Sequence, residues 1–181
     1  GYGLKQGESY PAKLEAALRA RGINARIANA AVSGETLPAG LQRLEFTLSS
    51  QARPPELVLI SLGGNDMLRG LPPAQTRDNL DAMLTALGKR GIRVMLLGML
   101  APPNLGADYR GEFDPIYPAL AKKHGAALVP FFLQAVTGKP DLVQQDRMHP
   151  TAKGIEEMVA ATAEAVVKAL PPATVSSPPP R

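Results

Sequence analysis

The sequence predicts a three-layer α/β fold, a parallel sheet with helices on both faces, and three observations carry that reading. Segments with helical periodicity alternate with short continuous apolar runs. The run Leu57-Val58-Leu59-Ile60-Ser61-Leu62 is apolar on both faces, as a strand covered from both sides must be. A chain of 181 residues, 45% hydrophobic and 20% charged, suits one domain with a sizeable core.

The elements follow in order. Pro11 suits a first helical turn, Leu14, Ala17 and Leu18 form a stripe, and Gly22 can close that helix. Ala25 to Ala31 reads as a strand. Thr36 can cap a second helix in which Leu37, Leu41, Leu44 and Leu48 recur, ending before Pro54-Pro55. After the strand at 57–62, a third helix runs from about Pro73 to Arg90 with Leu80, Met83, Leu84 and Leu87 on one face. Val94 to Leu97 is a buried strand, with Ser61 likewise expected inside the preceding one. Leu100 to Asp114, holding Pro, Gly and Asn, reads as a long loop at a strand's carboxyl end, where open parallel sheets place their ligands. Ile116 to His124 is a short helix, Ala127 to Val129 a short strand and Thr151 to Leu170 a final helix. The domain therefore spans 1–170, and 171–181, with five prolines in eleven residues, reads as a disordered Pro/Ser-rich tail. Such a sheet normally opens with a strand. Here a helix comes first, so the first strand is expected to be missing from the chain.

Composition excludes several functions. The formal net charge of +4 is spread thinly, with Lys122-Lys123-His124 the densest basic run, and 4 Phe, 4 Tyr and no Trp offer few stacking platforms, so no nucleic-acid partner is expected. The absence of cysteine removes disulfides, thiolate nucleophiles and thiolate zinc sites, and leaves the redox compartment open. No apolar run approaches the roughly 18 to 20 residues of a membrane span. A lone histidine among scattered aspartates matches no usual zinc set, so no metal is expected. The turns also lack a phosphate-cradling glycine spacing.

Two histidines bound any imidazole chemistry. His124 ends a helix beside Lys122 and Lys123, where it can meet the last carbonyls and the negative end of the helix dipole. His149 stands in Asp146-Arg147-Met148-His149-Pro150. An aspartate three positions upstream can hold one imidazole nitrogen and leave the other as a general base, and the same residues equally suit a turn-capping Asp beside a surface His. Gly63-Gly64-Asn65-Asp66 comes directly after the most hydrophobic strand. It reads either as a simple turn or as a place where glycines admit a ligand and an Asn amide faces an oxyanion. Gly34, in Val32-Ser33-Gly34-Glu35-Thr36, can add a backbone N–H.

Taken in order, these motifs resemble the SGNH (GDSL-type) serine hydrolase family without its first block. Val32-Ser33-Gly34 is similar to that family's second block, Gly-Gly-Asn-Asp to its third, and Asp146-x-x-His149-Pro150 to its last. Gly1-Tyr2-Gly3-Leu4 with Glu8-Ser9-Tyr10-Pro11 resembles the segment after Gly-Asp-Ser-Leu in the multifunctional bacterial thioesterase, arylesterase and lysophospholipase subgroup.

The resemblance implies a flavodoxin-like strand order and hydrolysis of carboxylic esters through a Ser-His-Asp acyl-enzyme: aryl esters, short to medium acyl esters, acyl thioesters and lysophospholipids. It implies no cofactor. Asp146 would orient His149, Gly34 and Asn65 would form the oxyanion hole, and Gly64 and Asp66 would support the loop. Met67, Leu68, Arg69 and Gly70 would belong to the substrate-pocket loop. The nucleophile is absent: Ser9, Ser33, Ser49, Ser50, Ser61, Ser176 and Ser177 all lie outside a Gly-Asp-Ser-Leu context. The simplest expectation is an active hydrolase whose nucleophile strand and turn precede Gly1. The alternative is a catalytically dead module that binds acyl ligands. A monomer acting on small-molecule esters, periplasmic or secreted, completes the expectation.

Overall fold

The computed structural model describes residues 1–172. Within them a three-stranded parallel sheet, order β1-β2-β3, lies between two helical layers. The strands are β1 (Leu57–Ile60), β2 (Arg93–Leu97) and β3 (Ala127–Val129). Leu57 pairs with Arg93 and Ile60 with Leu96 across β1 and β2, and Met95 pairs with Ala127 across β2 and β3. The helices are α1 (Tyr10–Ala20), α2 (Leu37–Ser49), α3 (Gly64–Leu68), α4 (Pro73–Lys89), α5 (Ala107–Phe113), α6 (Ile116–His124) and α7 (Ala152–Ala169).

The period of two along β2 divides the core. Val94 and Leu96 face a cluster containing Leu37, Leu44, Leu80, Leu84, Leu87, Phe113 and Tyr117, from α2, α4, α5 and α6. Met95 and Leu97 face Leu14, Leu18, Ile155, Met158, Val159 and Val166, from α1 and α7. Leu37, Leu80 and Leu87 are fully buried, and burial of a side chain of that size contributes about 1.5–3 kcal/mol. Thr151 caps α7, its hydroxyl accepting from the Gly154 N–H at 3.1 Å.

Three expectations change. Ala25 to Ala31 is not a strand. Ile23, Ala25 and Ile27 are alternately half-buried, as in a strand, but the backbone bonds to side chains instead of a neighbouring strand. The Ile27 N–H donates to Glu15 Oε2 at 2.6 Å, and Arg19 and Arg43 donate to the Ala25 and Ala30 carbonyls at 2.9 and 2.7 Å. Second, among the described residues β1 pairs only with β2. With its other edge uncovered, Leu57, Val58 and Leu59 stay half-buried, and Ser61, expected inside the strand, is exposed just beyond it. Third, the loop at 100–114 contains a 3₁₀ turn, Pro103–Leu105, and then α5, which buries Phe113. The tail expected over 171–181, with Ser176 and Ser177, lies outside the described residues from 173 onward.

Candidate active site

The candidate residues come in two groups of segments: 32–37 with α3, joined by hydrogen bonds of Asn65, Asp66 and Arg69, and the loop 143–150 with the stretch 1–3, joined through Gln144, His149 and Tyr2. The loop 143–150 is closed by an antiparallel bridge between Val143 and Pro150 and by the Gln144 N–H donating to the His149 carbonyl at 2.7 Å. At its tip, Arg147 takes a left-handed backbone, φ 57. That turn lets Asp146 cap the two residues beyond Arg147: Oδ1 accepts from the Met148 and His149 N–H groups at 2.9 and 3.0 Å.

Its other oxygen, Oδ2, accepts from His149 Nδ1 at 2.6 Å. The bond assigns the proton to Nδ1 and leaves the Nε2 lone pair free, with no partner among the described residues. Both side chains are about one-third exposed, 38% for His149 and 36% for Asp146. The backbone hydrogen bond from His149, its imidazole and the Met148 N–H together hold the Asp146 carboxyl down at about 2. Asp146 is therefore ionised at any pH where an imidazole can act as a base. Tyr2 lies against the imidazole, ring centroids 4.4 Å apart, and Gln144 Nε2 ties both the Tyr2 and Pro150 carbonyls at 2.8 and 2.9 Å.

The other candidate groups belong to α3 and 32–37. Gly63 caps α3 from the residue before it at φ +103, and a Cβ there would lie 2.1 Å from Tyr117 Oη, so no other residue fits. That phenol donates to the Leu62 carbonyl at 2.7 Å, fixing the end of β1 against α6, and burial pushes its pKa up. Gly64 opens the helix against Met99. Asn65 Nδ2 donates one proton to the Glu35 carbonyl at 3.0 Å, which orients the amide and leaves its second N–H available. Asp66 is fully buried, its Oδ2 accepting from the Leu37 N–H at the start of α2 at 2.9 Å. Its Oδ1 is unpaired among the described residues, and desolvation raises its pKa. Met67 packs into the core, whereas Leu68, Arg69 and Gly70 are exposed.

Gly34 adopts φ +76 in an exposed turn and its N–H has no partner among the described residues. Behind it, Glu35, its side chain only 6% exposed, is gripped by the Arg43 guanidinium through two hydrogen bonds. The bond holds the Arg43 pKa up.

The structure bonds Asp146 to His149, and ties Asn65 to the segment that carries Gly34; sequence reasoning missed Tyr2, Gln144, Glu35 and Arg43, whose contacts residue spacing does not signal. Ser9 begins α1 without capping it through its hydroxyl, Ser49 and Ser50 bond back to α2 carbonyls, and Ser33 is exposed beside Gly34. His124 does not bond the helix carbonyls as expected: among the described residues its Nε2 pairs with Asp81, which also binds Lys123 Nζ at 2.7 Å, and this lowers the Asp81 pKa. A surface cleft of about 570 Å³ runs along Glu45, Asp78, Asp81 and Arg90 and touches none of the dyad or oxyanion residues.

Three layers of α/β structure around a parallel sheet are the fold of the SGNH-family esterase structures that the chain resembles. The chain belongs to the GDSL-like Lipase/Acylhydrolase family, which matches residues 1–156. It is 63% identical to AlinE4, a structure described as an SGNH-hydrolase family esterase, with TM-score 0.80, covering 95% of this chain and 91% of that one. Esterase TesA of Pseudomonas aeruginosa is 42% identical over 148 residues, 82% of this chain and 73% of that protein. An arylesterase of Vibrio mimicus is 36% identical over 170 residues, covering 94% and 84%. The chain is thus of an esterase-type hydrolase family that acts on small-molecule esters.

Proposed function

We propose that the protein hydrolyses carboxylic esters through an acyl-enzyme formed on a serine carried by a strand and turn ahead of Gly1. The observation that carries this reading is the Asp146–His149 bond of 2.6 Å, which leaves one imidazole nitrogen free to act as a base, and the uncommitted N–H groups of Gly34 and Asn65 are the proposed oxyanion donors. His149 Nε2 removes the serine proton as Oγ attacks the acyl carbon. The carbonyl oxygen becomes an oxyanion stabilised by the Gly34 N–H and the second Asn65 Nδ2–H. Collapse expels the alcohol or thiol, which takes the proton from His149. Water, deprotonated by His149, then releases the acid and restores the serine. Asp146 stays ionised and stabilises the imidazolium.

The edge of β1 that has no strand partner among the described residues, with Ile23, Ala25 and Ile27 packed on the same core cluster as Leu57 and Leu59, suits an extended segment delivering that serine. Aryl esters and short to medium acyl esters are the proposed substrates. Acyl thioesters and lysophospholipids join them because relatives bear the names thioesterase and lysophospholipase. The test compares p-nitrophenyl butyrate hydrolysis by the 181-residue chain and by the same chain extended with a Gly-Asp-Ser-Leu segment. Turnover by the extended form alone, lost in His149→Ala, supports the reading. A folded, inert extended form that binds fatty acid would show an acyl-binding module, and turnover by the unextended chain would place the nucleophile elsewhere.

A further inference from the structure

Gly34 is an odd residue on which to rest an oxyanion donor. It is exposed, sits at φ +76, and a side chain there would meet nothing but Arg69 Nη2 at 3.8 Å. Glycine visits either sign of φ with little cost, so the direction of this N–H is not set by local sterics. Something else must hold it.

The neighbouring backbone is tied at almost every group. The Glu35 N–H donates to the Val32 carbonyl at 3.3 Å, the Glu35 carbonyl accepts from Asn65, and the Leu37 N–H donates to Asp66. On Gly34 itself one long-range bond acts: Arg69 Nη2 donates to its carbonyl at 2.8 Å, across 35 residues. Asn65 and Arg69 stand one helical turn apart, joined by the Arg69 N–H donating to the Asn65 carbonyl at 3.0 Å. One turn of chain thus supplies the side-chain donor and grips the backbone donor.

We propose that Arg69 is a positioning residue for the oxyanion hole: its guanidinium holds the Gly34 carbonyl on one side of the glycine while the Glu35 N–H bond to the Val32 carbonyl closes the turn on the other, and together they restrict the Ser33–Gly34 peptide that carries the Gly34 N–H. The inference rests on the proposed role of Gly34. Because Arg69 lies between the exposed Leu68 and Gly70, it also couples the setting of the hole to the conformation of that loop. Arg43 does a different job, compensating the buried Glu35 carboxylate and anchoring Thr47 and Ala30.

The first arm uses the 181-residue chain, ¹⁵N-labelled, as wild type, Arg69→Ala, Arg69→Lys and the exposed control Arg77→Ala. Arg69→Ala is expected to lower the Gly34 amide order parameter from about 0.85 to below about 0.6, with melting temperature unchanged, while Arg69→Lys and Arg77→Ala leave it rigid. An unchanged order parameter in Arg69→Ala overturns the proposal. The second arm uses the extended, serine-bearing form. There Arg69→Ala should lower kcat about 10- to 100-fold with KM within about twofold, since the loss falls on the transition state, and Arg69→Lys should recover most of it. A rise in KM alone, or no change, contradicts positioning. If the extended wild type is inert, the esterase reading fails while the order parameters still decide whether Arg69 holds Gly34.

Discussion

The two halves of the site are built in opposite ways. Asp146 and His149 are three residues apart in one bridged loop, and their geometry is set by hydrogen bonds inside 143–150. Gly34 and Asn65 belong to separate segments, and their placement depends on Glu35 and Arg69 just outside helices and on Arg43, Asp66 and Tyr117 from α2, α3 and α6. A local device needs only its loop, whereas a distributed one needs the whole face of the sheet. Damage to the first should remove chemistry and spare stability; damage to the supports of the second should cost stability or loosen the hole.

In the serine-bearing form, His149→Ala should be the largest effect, lowering kcat by about 10⁵-fold with the melting curve unchanged. Asp146→Asn should come next, at about 10³- to 10⁴-fold, because the asparagine no longer favours the Nδ1–H tautomer. The same pair predicts the pH profile. With Asp146 held down at about 2, its protonation should add no inflection to kcat/KM above about pH 3.5. The depressed carboxyl also adds stability above the unfolded aspartate value of about 3.9, lost as pH falls toward 2.

On the distributed side, Asn65→Ala should lower kcat about 10²- to 10³-fold. Smallest for activity, and informative for stability, is Asp66. Asp66→Ala strands the buried Leu37 N–H and should cost about 1–3 kcal/mol in denaturant unfolding. Asp66→Asn retains an acceptor and removes a buried charge, so it should be at least as stable as wild type at pH 7. Because burial raises the Asp66 pKa, the folded state holds that proton more strongly than the unfolded one. Wild type should therefore gain on Asp66→Asn as pH falls through the carboxylate range. A large loss of stability in His149→Ala, or none in Asp66→Ala, would break the contrast.

The same contrast explains what was legible in the sequence. Helix α6 and strand β3 fall on the residues that periodicity marks, and α1, α2, α4 and α7 lie within a few residues of their expected ends, because stripe and cap are local properties. The dyad was legible for the same reason. The ribbon at 25–31 has strand patterning and no ladder, since pairing belongs to a neighbour rather than to the segment. Helix α5 was hidden by Pro102, Pro103 and Gly106 just ahead of it, and becomes intelligible only with Phe113 in the core and Tyr109 stacked on it at 5.8 Å. The bonds of Arg43 to Glu35 and of Arg69 to Gly34 join residues whose spacing carries no signal.

The most direct test of the acyl-enzyme account is mass spectrometry of the extended chain after treatment with a fluorophosphonate, whose phosphorus bonds to an activated serine oxygen as fluoride leaves. The account predicts one adduct, mapped to the serine of the added Gly-Asp-Ser-Leu segment and absent in His149→Ala. An adduct on Ser33 or Ser61, or hydrolysis of p-nitrophenyl butyrate with no adduct on the added serine, would contradict it.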